Sequence, residues 1–438
     1  MRQSLLAPLK DLRVTVMGLG RFGGGIAVAR WLCEQGARVL VTDKDPADRL
    51  SKSVETLQDL PIEFRLGEHR EDDFRLADLV VTSPAVPLNN PYLAVARDAG
   101  IPITTEICLF VARCPARRVI GVTGTKGKST TTAMLGEIMS RPFKTWVGGN
   151  IGGSLLAQLS QIQPDDVVVL ELSSYMLEHL KPMAWSPHVA VVTLIEQDHL
   201  DWHGGFENYV DAKRNIVRRQ TASDFAVLNG ENVRAMAFSQ DTAAQVVRYD
   251  VSSAPPFELI VPGRHNQLNA QGAFAAARCM GVSWDEAQRA LRDFKGLPHR
   301  LQLVHEASGV RWYNDSIATI PQAAVAANEA FDAGRVIQIV GGSDKHLDLS
   351  GMVGPLATRC RAVLTIGQTG PALAVALRDA GAADVRECVT LDIAVNTARQ
   401  IATTNDVVLL STGCASYDQF THFEARGEAF ARLARAST

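Results

Sequence analysis

Apolar residues in this chain come in short, β-branched runs that stop on glycine or a polar residue and are followed by stretches with helical spacing. RVTVMGLG (residues 13–20) ends in glycines, and IAVARWLCEQG (26–36) carries apolar positions at helical spacing up to a glycine stop. ARVLVTDKD (37–45) reads as a second strand ending in an acid, and ADLVVTSPAVP (77–87), PYLAVARDAG (91–100) and IPITTE (101–106) repeat the rhythm. Strand alternating with helix predicts a parallel, doubly wound sheet. The rhythm restarts near residue 113 with RRVIGVTG, then DDVVVLELSS and PHVAVVTLIEQDH, and again near residue 299 with RVIQIVGGSDK, RAVLTIGQTG and DVVLLSTGCAS. The pattern predicts an α/β protein of three domains: a Rossmann-like domain over 1–112, a central P-loop domain with a parallel sheet over 113–298, and a second Rossmann-like domain over 299–438.

Composition narrows the class. A formal charge of -3 over 438 residues offers no basic excess to neutralise a nucleic-acid backbone. Seven cysteines, none spaced as C-x-x-C, read as reduced thiols of a cytoplasmic protein. No apolar run has the length of a signal-peptide core or a bilayer span, so no membrane partner is expected.

Two glycine loops carry candidate chemistry. GLGRFGGG contains G-x-G-x-x-G as Gly18, Gly20 and Gly23, with Asp43 ending the next strand. That spelling fits dinucleotide binding with the acid on a ribose, and equally a glycine-rich turn that binds another nucleotide. No residue pair for hydride transfer accompanies it. The second loop, VIGVTGTKGKSTTTAML (119–135), departs from G-x-x-x-x-G-K-[ST], because Val122 stands where the first glycine belongs. Gly124, Thr125, Lys126 and Gly127 can still wrap amides around an anion at a helix N-terminus. Lys128 would place its charge on β- and γ-phosphates, and Ser129 or Thr130 would offer a hydroxyl to Mg²⁺. Glu171 and the Asp198-His199 pair lie at the ends of neighbouring apolar strands, where a phosphate-bridging cation needs ligands.

The order of these motifs resembles the Mur ligases, ATP-dependent amino-acid-adding enzymes of peptidoglycan precursor synthesis. The family's nucleotide loop, T-G-T/S-x-G-K-S/T, matches Thr123 to Ser129 and accounts for the displaced glycine. The resemblance continues through Gly149-Asn150-Ile151-Gly152, Glu171-Leu172-Ser173-Ser174, Asp198-His199-Leu200-Asp201, Gly263-Arg264-His265-Asn266, Gly296-Leu297-Pro298-His299-Arg300, Asn314-Asp315-Ser316, Gly342-Ser343-Asp344-Lys345 and the segment Leu410 to Gly427. Within the family, GLPHR and the CAS…FEARG segment look most like the members that add D-glutamate to UDP-N-acetylmuramoyl-L-alanine.

The resemblance implies an acyl-phosphate route using ATP and Mg²⁺ or Mn²⁺, in a cytoplasmic, monomeric enzyme of small-molecule substrates. It implies that 1–112 binds the UDP substrate through Arg21, Phe22, Asp43, Lys44 and Ser83, that 113–298 binds ATP, and that 299–438 binds glutamate. By motif match, Lys128 holds phosphates, Asn269 contacts adenine, Arg300 the γ-phosphate and Asp315 the ribose. Asn150 and Ser173 lie toward the reacting groups, and Ser129, Glu171, His199 and a carbamylated Lys213 hold the metal. Thr319, Lys345, Ser416 and Phe423 match the amino-acid pocket. Two departures stand out: Ile317 where the family commonly has lysine, and Met176 where it often has glutamine. Alternative readings are the L-glutamate-adding class, folylpolyglutamate synthase, which usually lacks a full first domain, and a P-loop NTPase fused to a dehydrogenase.

Overall fold

The computed structural model describes residues 4–20 and 24–436, which form three sheets. The first contains β1 (Arg13–Met17), β2 (Arg38–Asp43), β3 (Ile62–Leu66), β4 (Leu79–Thr82) and β5 (Ile103–Thr104) in the order β3-β2-β1-β4-β5. All its pairings are parallel. The second contains β6 (Arg118–Thr123), β7 (Thr145–Gly149), β8 (Val167–Glu171), β9 (Val189–Val192), β10 (Phe225–Asn229) and β11 (Gln245–Tyr249) in the order β11-β10-β9-β6-β8-β7, again all parallel. The third contains β12 (Gln302–Ala307), β13 (Val310–Asn314), β14 (Val336–Gly341), β15 (Cys360–Ile366), β16 (Val385–Val389) and β17 (Val407–Leu410) in the order β12-β13-β17-β14-β15-β16. There β12 is an antiparallel edge strand paired to β13, a hairpin the apolar pattern did not signal.

Interior strands of a parallel sheet are covered on both faces and therefore read as unbroken apolar runs. VVVLE of β8, buried throughout, is an example. Between strands the chain uses ordinary helix signals: Asn90 caps Pro91–Asp98 by accepting the Tyr92 amide, with proline in the first turn.

The folded chain divides into two compact units, one running to Pro255 and including Asn269–Ala287, the other comprising Pro256–Leu268 and Gln288–Thr438. The first unit holds two sheets over one continuous core. Helix Glu106–Arg113 buries Ile107 to Ala112 in a cluster that includes Val16 and Leu32 on one side of the sequence and Leu156, Leu177 and Met183 on the other. Polar contacts join the same parts: Ser154 Oγ donates to Glu106 at 2.5 Å, Cys108 Sγ to the His179 carbonyl, and Trp202 Nε1 to the Ala85 carbonyl. In the second unit, separate apolar clusters line its sheet around Ile337, Leu364 and Phe430 and around Val340, Met352 and Leu373.

Candidate active site

In the second sheet the strand order reverses at β6, between β9 and β8. Ligands of open α/β sheets gather at such a switch point. Gly124 leaves β6 at φ +150, where an added Cβ would lie 1.9 Å from Thr193 Oγ1, so the loop passes closer to β9 than any side chain permits. Gly127 has φ +87 and precedes the helix Lys128–Met139; a Cβ there would reach 2.6 Å from Asn269 Oδ1. Thr131 Oγ1 also reaches Asn269 Oδ1, at 3.4 Å, so Asn269 lies against the loop and its helix. The loop is held from β9's side: the Thr125 amide donates to Leu194 O, and Thr125 Oγ1 contacts Glu196 O and the Tyr209 hydroxyl. Lys126 forms an exposed pair with Glu196 at 2.9 Å, while Lys128 Nζ donates to Thr125 O at 2.9 Å. Thr130 is buried in the first turn of the helix.

Two further groups complete this end of the sheet. Glu171, fully buried at the end of β8, accepts from Asn150 Nδ2 through Oε1 at 2.8 Å. Its Oε2 is buried and has no hydrogen-bond partner among the described residues. Lys213, 1 % exposed, donates from Nζ to Gly124 O at 2.7 Å and sits 4.6 Å from the centre of the Tyr209 ring. Burial, and after it the charge of Lys128, push the Lys213 ammonium well below the ordinary lysine range, against the pull of Asp198 and Glu171. An amine there is neutral more readily than any surface lysine. Burial, Lys213 and His199 hold His203 down to about 4, and its Nε2 lies 3.0 Å from Ser174 Oγ. Burial raises Tyr209 to about 12, keeping its hydroxyl protonated.

His199 is half exposed, has φ +51 and lies 3.4 Å from Asp198, beside the Tyr175 ring. Ser173 caps helix Ser174–Leu180 by accepting the Met176 amide. Among the described residues no three His, Cys, Asp or Glu side chains converge as a ready metal site. The unsatisfied Glu171 Oε2 is one ligand a hard cation here would use.

In the first sheet the order reverses at β1. Leu19 and Gly20 amides donate to Asp43 Oδ2 at 2.8 and 3.1 Å, and Asp43 Oδ1 accepts the Asp45 amide. Asp43 thus organises the loop itself, which differs from the ribose contact its spelling suggests. Ser83 lies beside Gly18, and Lys44 is exposed. Arg21 and Phe22 lie outside the described residues.

The second unit brings another set together at the ends of adjacent strands β13, β17 and β14. Asp315 is buried; Oδ1 accepts the Leu301 amide and Oδ2 the Ser411 hydroxyl at 2.7 Å. Burial raises its carboxyl to about 7, opposed by Ser411, Leu301 and Arg300. Ser416 is buried, Thr319 and Phe423 are half-buried, and the exposed Lys345 ammonium lies 4.9 Å from the Tyr417 ring centre. Phe423 packs edge-on to His299.

Sequence reasoning did not single out Tyr209, and it took Ser411 and Arg426 only as members of matched motifs, without a role. Tyr209 stands four residues before Lys213 on helix Phe206–Arg214, a spacing that stacks the two side chains and was the available signal.

Comparison with known proteins agrees with this geometry. The Mur ligase middle domain matches residues 122–256, the MurD-like Mur ligase N-terminal domain 12–105, and the Mur ligase glutamate ligase domain 299–414. The UDP-N-acetylmuramoylalanine–D-glutamate ligase of Roseiflexus sp. (strain RS-1) is 42% identical over 98% of this chain and 100% of its own length. That of Anaeromyxobacter dehalogenans is 38% identical over 97% and 98%. Among solved structures, UDP-N-acetylmuramate-alanine ligase from Thermotoga maritima shares the fold with a TM-score of 0.60 at 20% identity, covering 97% of this chain and 98% of that one. Folylpolyglutamate synthase from Mycobacterium tuberculosis shares it with a TM-score of 0.53 at 18% identity, over 76% of this chain and 95% of its own. This chain belongs to the Mur ligase family of ATP-dependent amide-forming ligases.

Proposed function

We propose that the protein joins D-glutamate to UDP-N-acetylmuramoylalanine with ATP, in peptidoglycan precursor synthesis. The carrying observation is the 42% identity, end to end, to a relative whose name states that acceptor and that amino acid. The substrate carboxylate attacks the γ-phosphorus of ATP, making a C–O–P acyl phosphate and releasing ADP. The neutral amine of D-glutamate then attacks the acyl carbon, and phosphate leaves from the tetrahedral adduct. Such a route rests on positioning and charge neutralisation, with no protein nucleophile.

In this reading Lys128 and the amides of Gly124 to Gly127 hold the β- and γ-phosphates, with Thr130 in the supporting first turn. Asn269 contacts adenine, Asp315 the ribose and Arg300 the γ-phosphate. Asn150 and Ser173 face the acceptor's reacting end, and Asp43, Lys44, Ser83, Arg21 and Phe22 serve its UDP. Thr319, Lys345, Ser416 and Phe423 receive glutamate. Magnesium would be held by Glu171, His199 and the Ser129 hydroxyl, where it supplies charge neutralisation for phosphoryl transfer. The buried, easily neutralised Lys213 amine suits addition to carbon dioxide, giving an anionic carbamate and releasing a proton, and so a further oxygen ligand. The same reading makes the enzyme a cytoplasmic monomer without nucleic-acid or membrane partners. No described helix is long and apolar enough to cross a membrane.

The test measures phosphate release and product mass with ATP, the muramoyl substrate and each pure enantiomer of glutamate. Turnover is expected with D-glutamate and only when all three substrates are present. Preference for L-glutamate would move the protein to the L-glutamate-adding class, a choice that Ile317 leaves open by removing a cation from a site for a dicarboxylate.

A further inference from the structure

Arg426 is 1 % exposed, and none of the described carboxylates forms an ion pair with it. Its Nε donates to Ser316 Oγ at 2.9 Å and Nη2 to Ser316 O at 2.9 Å; Nη1 donates to Cys414 O at 3.1 Å and Ala415 O at 3.3 Å. Every one of these acceptors is neutral. Burial lowers the guanidinium to about 10, against the pull of Cys414 and of the Asp418 carboxylate, which makes no ion pair with it; the group stays charged at neutral pH. A buried charge without a counter-charge is strongly disfavoured. The location adds to the penalty, because Arg426 sits in the first turn of helix Phe423–Arg435, the positive end of its dipole.

What the cation touches gives the reason. Ser316 belongs to the loop after β13 that carries Ile317 and Thr319, and Cys414 and Ala415 to the loop after β17 that carries Ser416. An added Cβ on Gly342 would lie 3.3 Å from Arg426 Nη1, so the loop after β14, which carries Lys345, passes the same guanidinium. The Ser343 amide donates to Ala415 O at 2.9 Å, and Ser316 Oγ to Phe423 O at 2.8 Å. Three strand-end loops and the start of one helix meet around a single fixed positive charge. The carbonyls it draws toward itself lie in the loops that carry Thr319 and Ser416, residues assigned above to glutamate.

We propose that Arg426 is a positioning residue of the glutamate site: it locks the loops carrying Thr319, Lys345, Ser416 and Phe423 into one pocket and provides the fixed positive potential for a dicarboxylate that Ile317 does not. The inference rests on the assignment of this pocket to glutamate. Arginine suits the role because its planar fork binds several carbonyls while remaining charged.

The experiment compares Arg426→Gln, which keeps amide donors without charge, and Arg426→Lys, which keeps charge without the fork. KM for D-glutamate, KM for ATP and the melting temperature are measured on each full-length enzyme. Arg426→Gln is expected to raise KM for D-glutamate by about tenfold or more and to leave KM for ATP within about twofold, with Arg426→Lys between the two. Adding Ile317→Lys to Arg426→Gln is expected to recover part of the lost glutamate affinity, which a merely structural role would not give. Equal rises in both KM values, or a lower melting temperature with both KM values unchanged, overturn the proposal. If neither Arg426 variant folds, Ile317→Lys in the wild-type background decides: a lower KM for D-glutamate supports a charge-limited pocket, and an unchanged or higher KM overturns it. A wild-type enzyme inactive with D-glutamate refutes the functional assignment instead, so the two failures are distinguishable.

Discussion

The loop after β1 and the loop after β6 both leave an interior strand where the strand order reverses, and both lead to a helix, yet they are closed by opposite charges. In the first, a carboxylate, Asp43, takes the amides of Leu19 and Gly20. In the second, the ammonium of Lys128 takes the Thr125 carbonyl and the buried amine of Lys213 that of Gly124. The glycine spelling of each loop says only that the backbone turns tightly. The charge that closes it sets which groups are left for an anion: in the first loop Asp43 already occupies two amides, so the phosphates of a nucleotide must be met by other groups, whereas the second loop presents the Lys128 ammonium to them. The dinucleotide reading of the first loop loses its ribose acid to the loop's own backbone.

The largest effect that sharpens this contrast is expected from Lys128→Ala. Removing the cation that faces developing phosphoryl charge is expected to lower kcat/KM by about 10³-fold or more with little change in melting temperature. Phosphate release within about tenfold of wild type would break the contrast.

Lys213→Ala comes next, with an expected loss of about 10²-fold, partly restored by added short carboxylates if the lysine works as a carbamate. Its pH behaviour has a definite sign. The folded amine titrates below the ordinary lysine value, so in enzyme freed of carbon dioxide the unfolded chain binds more protons between the two values. The cost to stability is fully present below the depressed value and disappears as pH rises to the ordinary one. Lys213→Met is therefore expected to exceed wild type in stability at neutral pH, by denaturant unfolding, and to lose that advantage toward pH about 10. Equal stability at all pH values would remove the argument.

A smaller effect is expected from Asp43→Asn, which keeps one acceptor but loses the charge-assisted bonds to two amides. KM for the muramoyl substrate should rise about five- to tenfold, with KM for ATP unchanged. The smallest belongs to Lys126→Ala. Its pair with Glu196 is mostly exposed, so steady-state constants should stay within about twofold of wild type.

The limits of the sequence reading have a physical pattern. Of the strands read from apolar runs, only β5 is a sheet edge. The edges β3, β7, β11, β12 and β16 escaped notice, because a strand half open to water carries residues such as Glu63, Arg65, Gln245, Arg386 and Glu387. The interior strands β10 and β13 were missed as well, each lying next to an edge. Site residues were legible where a whole motif is contiguous, as in Thr123 to Ser129. They were not where the partner comes from far along the chain: Tyr209 on Thr125, Ser411 on Asp315, and Arg426 on Ser316, 110 positions apart. A boundary near 112 marks the end of one sheet's sequence, but the core passes through it.

That shared core bears on how the protein is made. Helix Glu106–Arg113 leaves the ribosome with the first sheet, while Leu156, Leu177 and Met183, in whose apolar cluster its side chains are buried, are encoded up to about seventy codons later. At translation speeds of roughly 5–20 residues per second, the part of this apolar surface that Leu156, Leu177 and Met183 complete waits about four to fourteen seconds for them. Slow codons placed between 113 and 183 would lengthen that wait.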